Sequence, residues 1–176
     1  MEEKALETLR AILARRGLQT TTVHTGDHTY TIGDRVVIFV PGNNPTKTAL
    51  DKLLDEHSKN VIIVTTLPPS ESVRAHMRNY AADGVQLFNM MQLQFDIMTH
   101  KKYGFNCRIL PPDQKGNLMQ SMRISNYRQL PRIGYDDPYS LWVGGKPDDV
   151  LEFDIPSDSA GWSKKYRYVV TNVEEV

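Results

Sequence analysis

The sequence predicts an α/β domain, a largely parallel sheet covered by helices, followed by a small α+β domain. Three observations carry this. Short apolar runs at 35–40, 61–64 and 84–88 alternate with amphipathic stretches, an order that requires crossover connections. The runs lack polar alternation, as strands buried on both faces do. Beyond Pro111-Pro112-Asp113 a helical stretch gives way to alternating strands separated by Gly/Pro turns. The junction is therefore expected near residues 100–110, with domains at 1–105 and 106–176.

Glu3 to Arg16 places Leu6, Leu9, Ile12 and Leu13 on one face, with Glu early and Arg late, and Gly17 suits its stop. Thr20 to Tyr30 is Thr-rich and reads as strand or loop. Arg35 to Val40 is a buried strand ended by Pro41-Gly42. Thr46 or Thr48 caps a helix running through His57, whose stripe is Ala49, Leu50, Leu53 and Leu54. Val61 to Val64 is a second buried strand, stopped at Pro68-Pro69. Ser70 stands where an N-cap belongs, and Val73, Met77, Tyr80 and Ala81 recur at helical spacing. Gly84 to Phe88 is the third strand. Met90 to Thr99 fits helix or strand equally, and its methionines Met90, Met91 and Met98 read as core filling. A short helix is expected from Asp113 to Met122, with Val150 to Ile155 a strand after it.

Composition narrows the function. Lys plus Arg and Asp plus Glu both number 21 in 176 residues, so the net charge is zero. A protein that holds nucleic acid alone usually carries a basic excess. The lone Cys107 leaves no internal disulfide and no cysteine-rich zinc site. His24 and His28 are four apart, but their Thr-rich context argues against the helix that would pair them on a metal. No apolar run approaches the ~18 residues of a membrane span, and MEEKALETL is no secretory signal. A soluble, intracellular protein is expected, with no membrane partner and no small-molecule substrate. Gly144-Gly145-Lys146 is no phosphate loop, because a strand rather than a helix follows it.

The most informative stretch is Arg128 to Gly161. Leu130-Pro131-Arg132-Ile133 is followed by Asp137-Pro138, a short apolar run and Gly144-Gly145-Lys146-Pro147-Asp148. The strand from Val150 then leads to Pro156-Ser157-Asp158-Ser159-Ala160-Gly161 and a closing Tyr166-Arg167-Tyr168-Val169-Val170. This order resembles the assembly domain of the fifth subunit shared by eukaryotic nuclear RNA polymerases I, II and III, a family with a counterpart in archaea. That family shows an LPxI segment, an SDP or GDP step, a G-x-KPGD turn, a strand, an S-x-TAG turn and a YRLV-like strand. The first half is similar to the eukaryotic jaw domain more thinly, through Val37-Ile38-Phe39-Val40-Pro41, Val61-Ile62-Ile63-Val64 and Pro69-Ser70. There are departures. Asp148 replaces the last Gly of the KPGD turn, Ile155 stands where an Arg precedes the S-x-TAG turn, and Glu71 adds a negative charge after the jaw turn. The family's E-H-x-L-V-P-x-H passage is degraded to Lys101 through Cys107. So compact and drifted a version resembles the copies encoded by large DNA viruses.

The resemblance implies a non-catalytic structural subunit of a multisubunit DNA-directed RNA polymerase, with no cofactor, metal or catalytic residue of its own. Its second domain would dock on the largest subunit through Leu130, Pro131, Arg132, Asp137, Pro138 and the turn Gly145, Lys146, Pro147 and Asp148. Its first would form part of the jaw around downstream duplex DNA, with Pro69, Ser70 and Arg74 as contacts. It would reside in the nucleus or, for a viral copy, in a cytoplasmic viral factory or virion. The residues give independent reasons for parts of this. Prolines pre-set a loop and lower the entropy lost on docking, and Asp137 before Pro138 caps a helix. Ser70, Arg74 and Arg78 start and line a helix whose free N–H groups suit phosphate. Lys101-Lys102 and Lys164-Lys165 read as exposed loop charges, and Gly144-Gly145 as a positive-φ turn. The rival is a divergent metal-dependent nuclease, since the jaw's sheet-and-helix pattern resembles restriction-endonuclease-like architecture. Against it, the strands at 36–40 and 61–64 carry no carboxylate or Lys, and Asp34 and Asp96 lack an E-x-K partner.

Overall fold

A computed structural model describes residues 1–42, 45–57, 59–100 and 106–171. The chain forms two compact units, Met1–Asp96 and Ile97–Val176. Lys101 to Phe105, including the lysine pair at 101–102, lie outside the described residues.

In the first unit, α1 (Glu2–Arg15) buries Leu6, Leu9, Ile12 and Leu13 along one side. It stops at Gly17, which takes φ +73° and donates to Ala14 O while Leu18 donates to Leu13 O, the paired closure that a left-handed glycine permits. A hairpin follows, β1 (Thr22–Gly26) and β2 (Thr29–Ile32), then β3 (Arg35–Val40). Thr46, not Thr48, caps α2 (Lys47–Glu56), accepting from Ala49 N–H at 3.3 Å. β4 (Val61–Thr65), α3 (Glu71–Arg78) and β5 (Gln86–Asn89) complete the unit.

The five strands lie in chain order. β3, β4 and β5 are parallel, joined by α2 and α3, whereas β1–β2 and β2–β3 are antiparallel. The sheet is therefore mixed rather than largely parallel. The polar Thr-rich segment is a hairpin at the sheet's edge, and four of the five β1 residues are exposed, so no buried face imposes an apolar period on it. Ile38, Leu50, Leu54, Val61, Ile63, Val73 and Met77 form one core. Ile62 and Val64, which alternate with these on β4, are also fully buried, so both faces of that strand are covered. Ala49 is exposed, outside the expected stripe. Tyr80 and Ala81 fall beyond α3, where the chain tightens into turns toward Gly84. The ambiguous 90–99 segment becomes two 3-10 turns at Gln92–Gln94 and Ile97–Thr99, with Met90 buried and Met91 exposed.

The second unit runs β6 (Asn106–Ile109), α4 (Pro112–Met122), a 3-10 turn at Tyr127–Gln129, β7 (Arg132–Gly134), α5 (Pro138–Val143), β8 (Val150–Ser157) and β9 (Gly161–Val170). Its sheet has the order β6-β8-β9-β7, with β7 parallel to β9 and the other pairs antiparallel. Leu110, Leu118, Leu130, Val150 and Tyr168 fill one side. Among the described residues no helix is long and apolar enough to cross a membrane.

Candidate functional site

The segments singled out between 130 and 148 are organised around α5 and β9. Asp137 caps α5, its carboxylate accepting from Tyr139 N–H at 2.9 Å, and Pro138 occupies the first turn, where its missing N–H costs nothing. Burial pushes the Asp137 carboxyl above its ordinary range and Asp136 adds to this, while the N–H groups of Tyr139 and Ser140 pull the other way. Gly144 ends α5 at φ +77°. Gly145 does not share that conformation: it is needed for space. A Cβ there would meet Ser140 Oγ at 2.8 Å and Leu151 Cδ2 at 3.4 Å. The residue in the left-handed region within the turn is Asp148, at φ +73°. That explains why the related pattern holds Gly at this point.

Tyr168 ties the two candidate docking segments together. Its backbone N–H donates to Pro131 O at 2.9 Å, and its hydroxyl donates to Asp148 Oδ1. Asp148 N–H in turn reaches Val169 O at 3.1 Å, and Lys146 N–H reaches Asp149 Oδ2 at 3.0 Å. Pro131, Arg132, Lys146 and Asp148 are exposed. Leu130 is not. At 4 % exposure it belongs to the core of its own unit, so it holds Pro131 and Arg132 in place instead of presenting a side chain outward. Gly145 is likewise buried.

Beside these segments lies a concavity of about 430 Å³. β7 contributes Arg132, Ile133 and Gly134, and α5 contributes Asp137 and Tyr139. Phe153, Ile155, Lys165 and Arg167 of the β8–β9 hairpin complete it. Tyr139 sits edge-on to Phe153 with ring centroids 5.5 Å apart. Of the expected docking residues only Arg132 and Asp137 line this hollow. The other contributors were missed because a strand displays alternate residues on opposite faces, and their grouping requires the hairpin register. Lys164 and Lys165 are accordingly not loop charges but neighbours on β9 facing opposite ways. Lys164 reaches Glu152 Oε1 at 2.9 Å, where Arg108 Nε at 2.8 Å and Tyr166 OH at 3.0 Å also converge on the same carboxylate. Burial would raise the Glu152 carboxyl, yet these three donors hold it below its ordinary range. Lys165 and Arg167 are exposed on β9, and Arg167 stands near enough to Asp137 to pull its carboxyl down against the effect of burial. Cys107 is half-buried, and burial with Asp137 nearby pushes its thiol up to about 12, which leaves it unreactive at neutral pH.

In the first unit, Pro69 is buried and its carbonyl accepts from Arg74 Nε at 3.3 Å. It therefore offers no side chain to a ligand. Ser70 precedes α3 without a side-chain cap, its hydroxyl lying 3.2 Å from that of Ser72. Glu71 is paired with Arg78 at 3.0 Å. Asp96 bonds Arg15 at 2.5 Å, and Asp34 lies 3.9 Å from Arg35 Nε. His24 packs on Tyr30, and His28 faces Glu2 at 3.2 Å. Among the described residues no group of three or more His, Cys, Asp or Glu could hold a metal ion.

Residues 95–169, nearly all of the second unit, match the family described as RNA polymerase Rpb5, C-terminal domain. The DNA-directed RNA polymerase subunit Rpo5 of Thermococcus onnurineus is 42% identical over 77 residues, which cover 44% of this chain and 92% of that protein. The chain belongs to the Rpb5 family. The Rpo5 subunit of Thermococcus celer is 39% identical over the same length, with the same shares covered. That of Aeropyrum pernix is 33% identical over 63 residues, 36% of this chain and 69% of its own. The family's shared region thus contains the α5 cap, the 145–148 turn and the whole concavity.

Proposed function

We propose that this chain is a non-catalytic structural subunit of a multisubunit DNA-directed RNA polymerase. The observation that carries the proposal is that a nearly complete archaeal Rpo5 subunit aligns within this one chain, at 42% identity and 92% coverage. The second unit serves as the assembly domain and docks on the largest subunit. Its exposed Pro131, Arg132, Lys146 and Asp148 are held on a stiff frame by Tyr168. Such a frame loses little entropy on binding. Asp137, Pro138 and Pro147 shape this frame, while buried Leu130 and Gly145 support it from beneath. The first unit serves as part of the jaw beside downstream duplex DNA, with Ser70 and Arg74 reaching phosphates in the assembled enzyme and Pro69 orienting Arg74. The chemistry of nucleotide addition belongs to the large subunits. The drifted turns fit a virally encoded copy acting in a viral factory or virion, or else a nuclear protein of a cell.

The test is affinity purification of the tagged chain from its native cells. Polymerase subunits should come with it. Arg132→Glu combined with Asp137→Lys should reduce their recovery at least tenfold, with the isolated variant still giving a cooperative thermal melt. Undiminished recovery would remove these residues from the docking surface.

A further inference from the structure

We propose that the concavity over the β8–β9 hairpin receives an extended acidic peptide segment of another polymerase subunit, with carboxylates at alternate positions. This deepens the polymerase-subunit reading and rests on it. The lining divides by chemistry. Ile133, Tyr139, Phe153 and Ile155 offer apolar surface, while Lys165 and Arg167 stand exposed on β9.

The charge on β9 is asymmetric between its faces. On one face Lys164 meets Glu152 at 2.9 Å and Asp154 at 3.9 Å, so that face is neutralised within the unit. On the other, Lys165 stands opposite Phe153 and Arg167 opposite Leu151. Apolar residues sit where cross-strand carboxylates would be. The one carboxylate in the hollow, Asp137, accepts from Tyr139 N–H at 2.9 Å, and burial raises it while Arg167 lowers it, so it offsets only part of the cationic charge. With Arg132 of β7 the hollow holds three cationic side chains beside apolar surface, a lining complementary to an acidic segment.

Strand geometry sets the spacing. Residues two apart on a strand lie about 7 Å from one another and face the same way. An extended peptide presents its own side chains at that period, so acidic residues at i and i+2 match Lys165 and Arg167. A nucleic-acid backbone fits less well. It is usually followed by a longer cationic track with bases stacked on aromatic faces, and here Tyr139 is already packed edge-on to Phe153 at 5.5 Å.

The test uses the full tagged chain carrying Ile155→p-benzoylphenylalanine, expressed in the native cells, purified with its polymerase and irradiated. Mass spectrometry of the adduct should find one protein segment containing at least two Asp or Glu residues at i, i+2 spacing. Adding Lys165→Glu and Arg167→Glu should lower adduct yield at least tenfold, Lys165→Gln with Arg167→Gln should lower it less, and the thermal midpoint should stay unchanged. An adduct with nucleic acid, an adduct with a segment lacking acidic residues, or a yield indifferent to charge reversal would each overturn this inference alone. Failure of the chain to bring polymerase with it would overturn the subunit reading and this inference together.

Discussion

Ser140 and Gly145 are a matched pair. The Ser140 hydroxyl is buried, with no hydrogen-bond partner among the described residues, and occupies the space a Cβ at Gly145 would need. Gly145→Ala should therefore destabilise the protein by about 1–3 kcal/mol through overpacking. Ser140→Ala in the same chain should restore much of the loss in a double-mutant cycle read by urea melts. Asp148 poses the opposite problem, a side chain in a left-handed conformation. Asp148→Gly removes that strain and Asp148→Ala keeps it, while both lose the bond to Tyr168. The alanine variant should be the less stable by about 1 kcal/mol, and equal melting midpoints would refute the account. Both residues were marked out by motif, but only coordinates distinguish a glycine kept for φ from one kept for space. Leu130 and Pro69 show the same limit. A chemically suitable side chain within a recognisable motif becomes a contact or a core residue only through its neighbours. Ile155 was legible only as a departure from pattern, and its place in the concavity gives the departure a consequence.

Secondary structure was legible where burial leaves a strong imprint. α1, β3, α2 and β4 lie within two residues of their expected bounds at each end, because each carries an apolar stripe or run with a stop signal beside it, whereas α4, which buries Leu118 alone, is placed as closely by the prolines at its start. The hairpin β1–β2 and the 3-10 turns at 92–99 lack that imprint, as edge strands and single turns bury too few side chains to show a period. The register of β8 against β9 was invisible for a different reason: it sets which lysine faces inward, and alternation is unreadable in a run such as Ser163-Lys164-Lys165 without the partner strand. α4 also offers a direct test of helix energetics. Gly116 lies within it, exposed, with nothing within 4 Å of the position a Cβ would take. Gly116→Ala should raise stability by about 0.5–1 kcal/mol by reducing the freedom of the unfolded chain. A neutral or destabilising result in chemical denaturation would show that this face is not open.

Across the whole molecule, zero net charge conceals carboxylates whose affinity for protons falls on folding. Donors lower Glu152 despite its burial, and His76 followed by Tyr80 lowers Asp51. Groups held below their ordinary values of 4.5 and 3.8 contribute stability that is complete above those values and lost as pH falls through the folded ones. Asp137 has the opposite sign, since its raised value favours the folded state in acid. Lys4 lowers Glu7 in the same way, so with three groups set against one the thermal midpoint should drop from about pH 5 to about pH 3. Glu152→Gln should cost about 2 kcal/mol at neutral pH and flatten that decline, and an unchanged acid limb would show the Glu152 network to be inert. β9, finally, is synthesised after β6, β7 and β8 yet lies between two of them. A ribosome-bound chain lacking residues 161–170 has neither the middle of that sheet nor Lys165 and Arg167. Recruitment into a larger assembly through this face must therefore wait until translation has passed it, whereas the earlier unit is free to fold while synthesis continues.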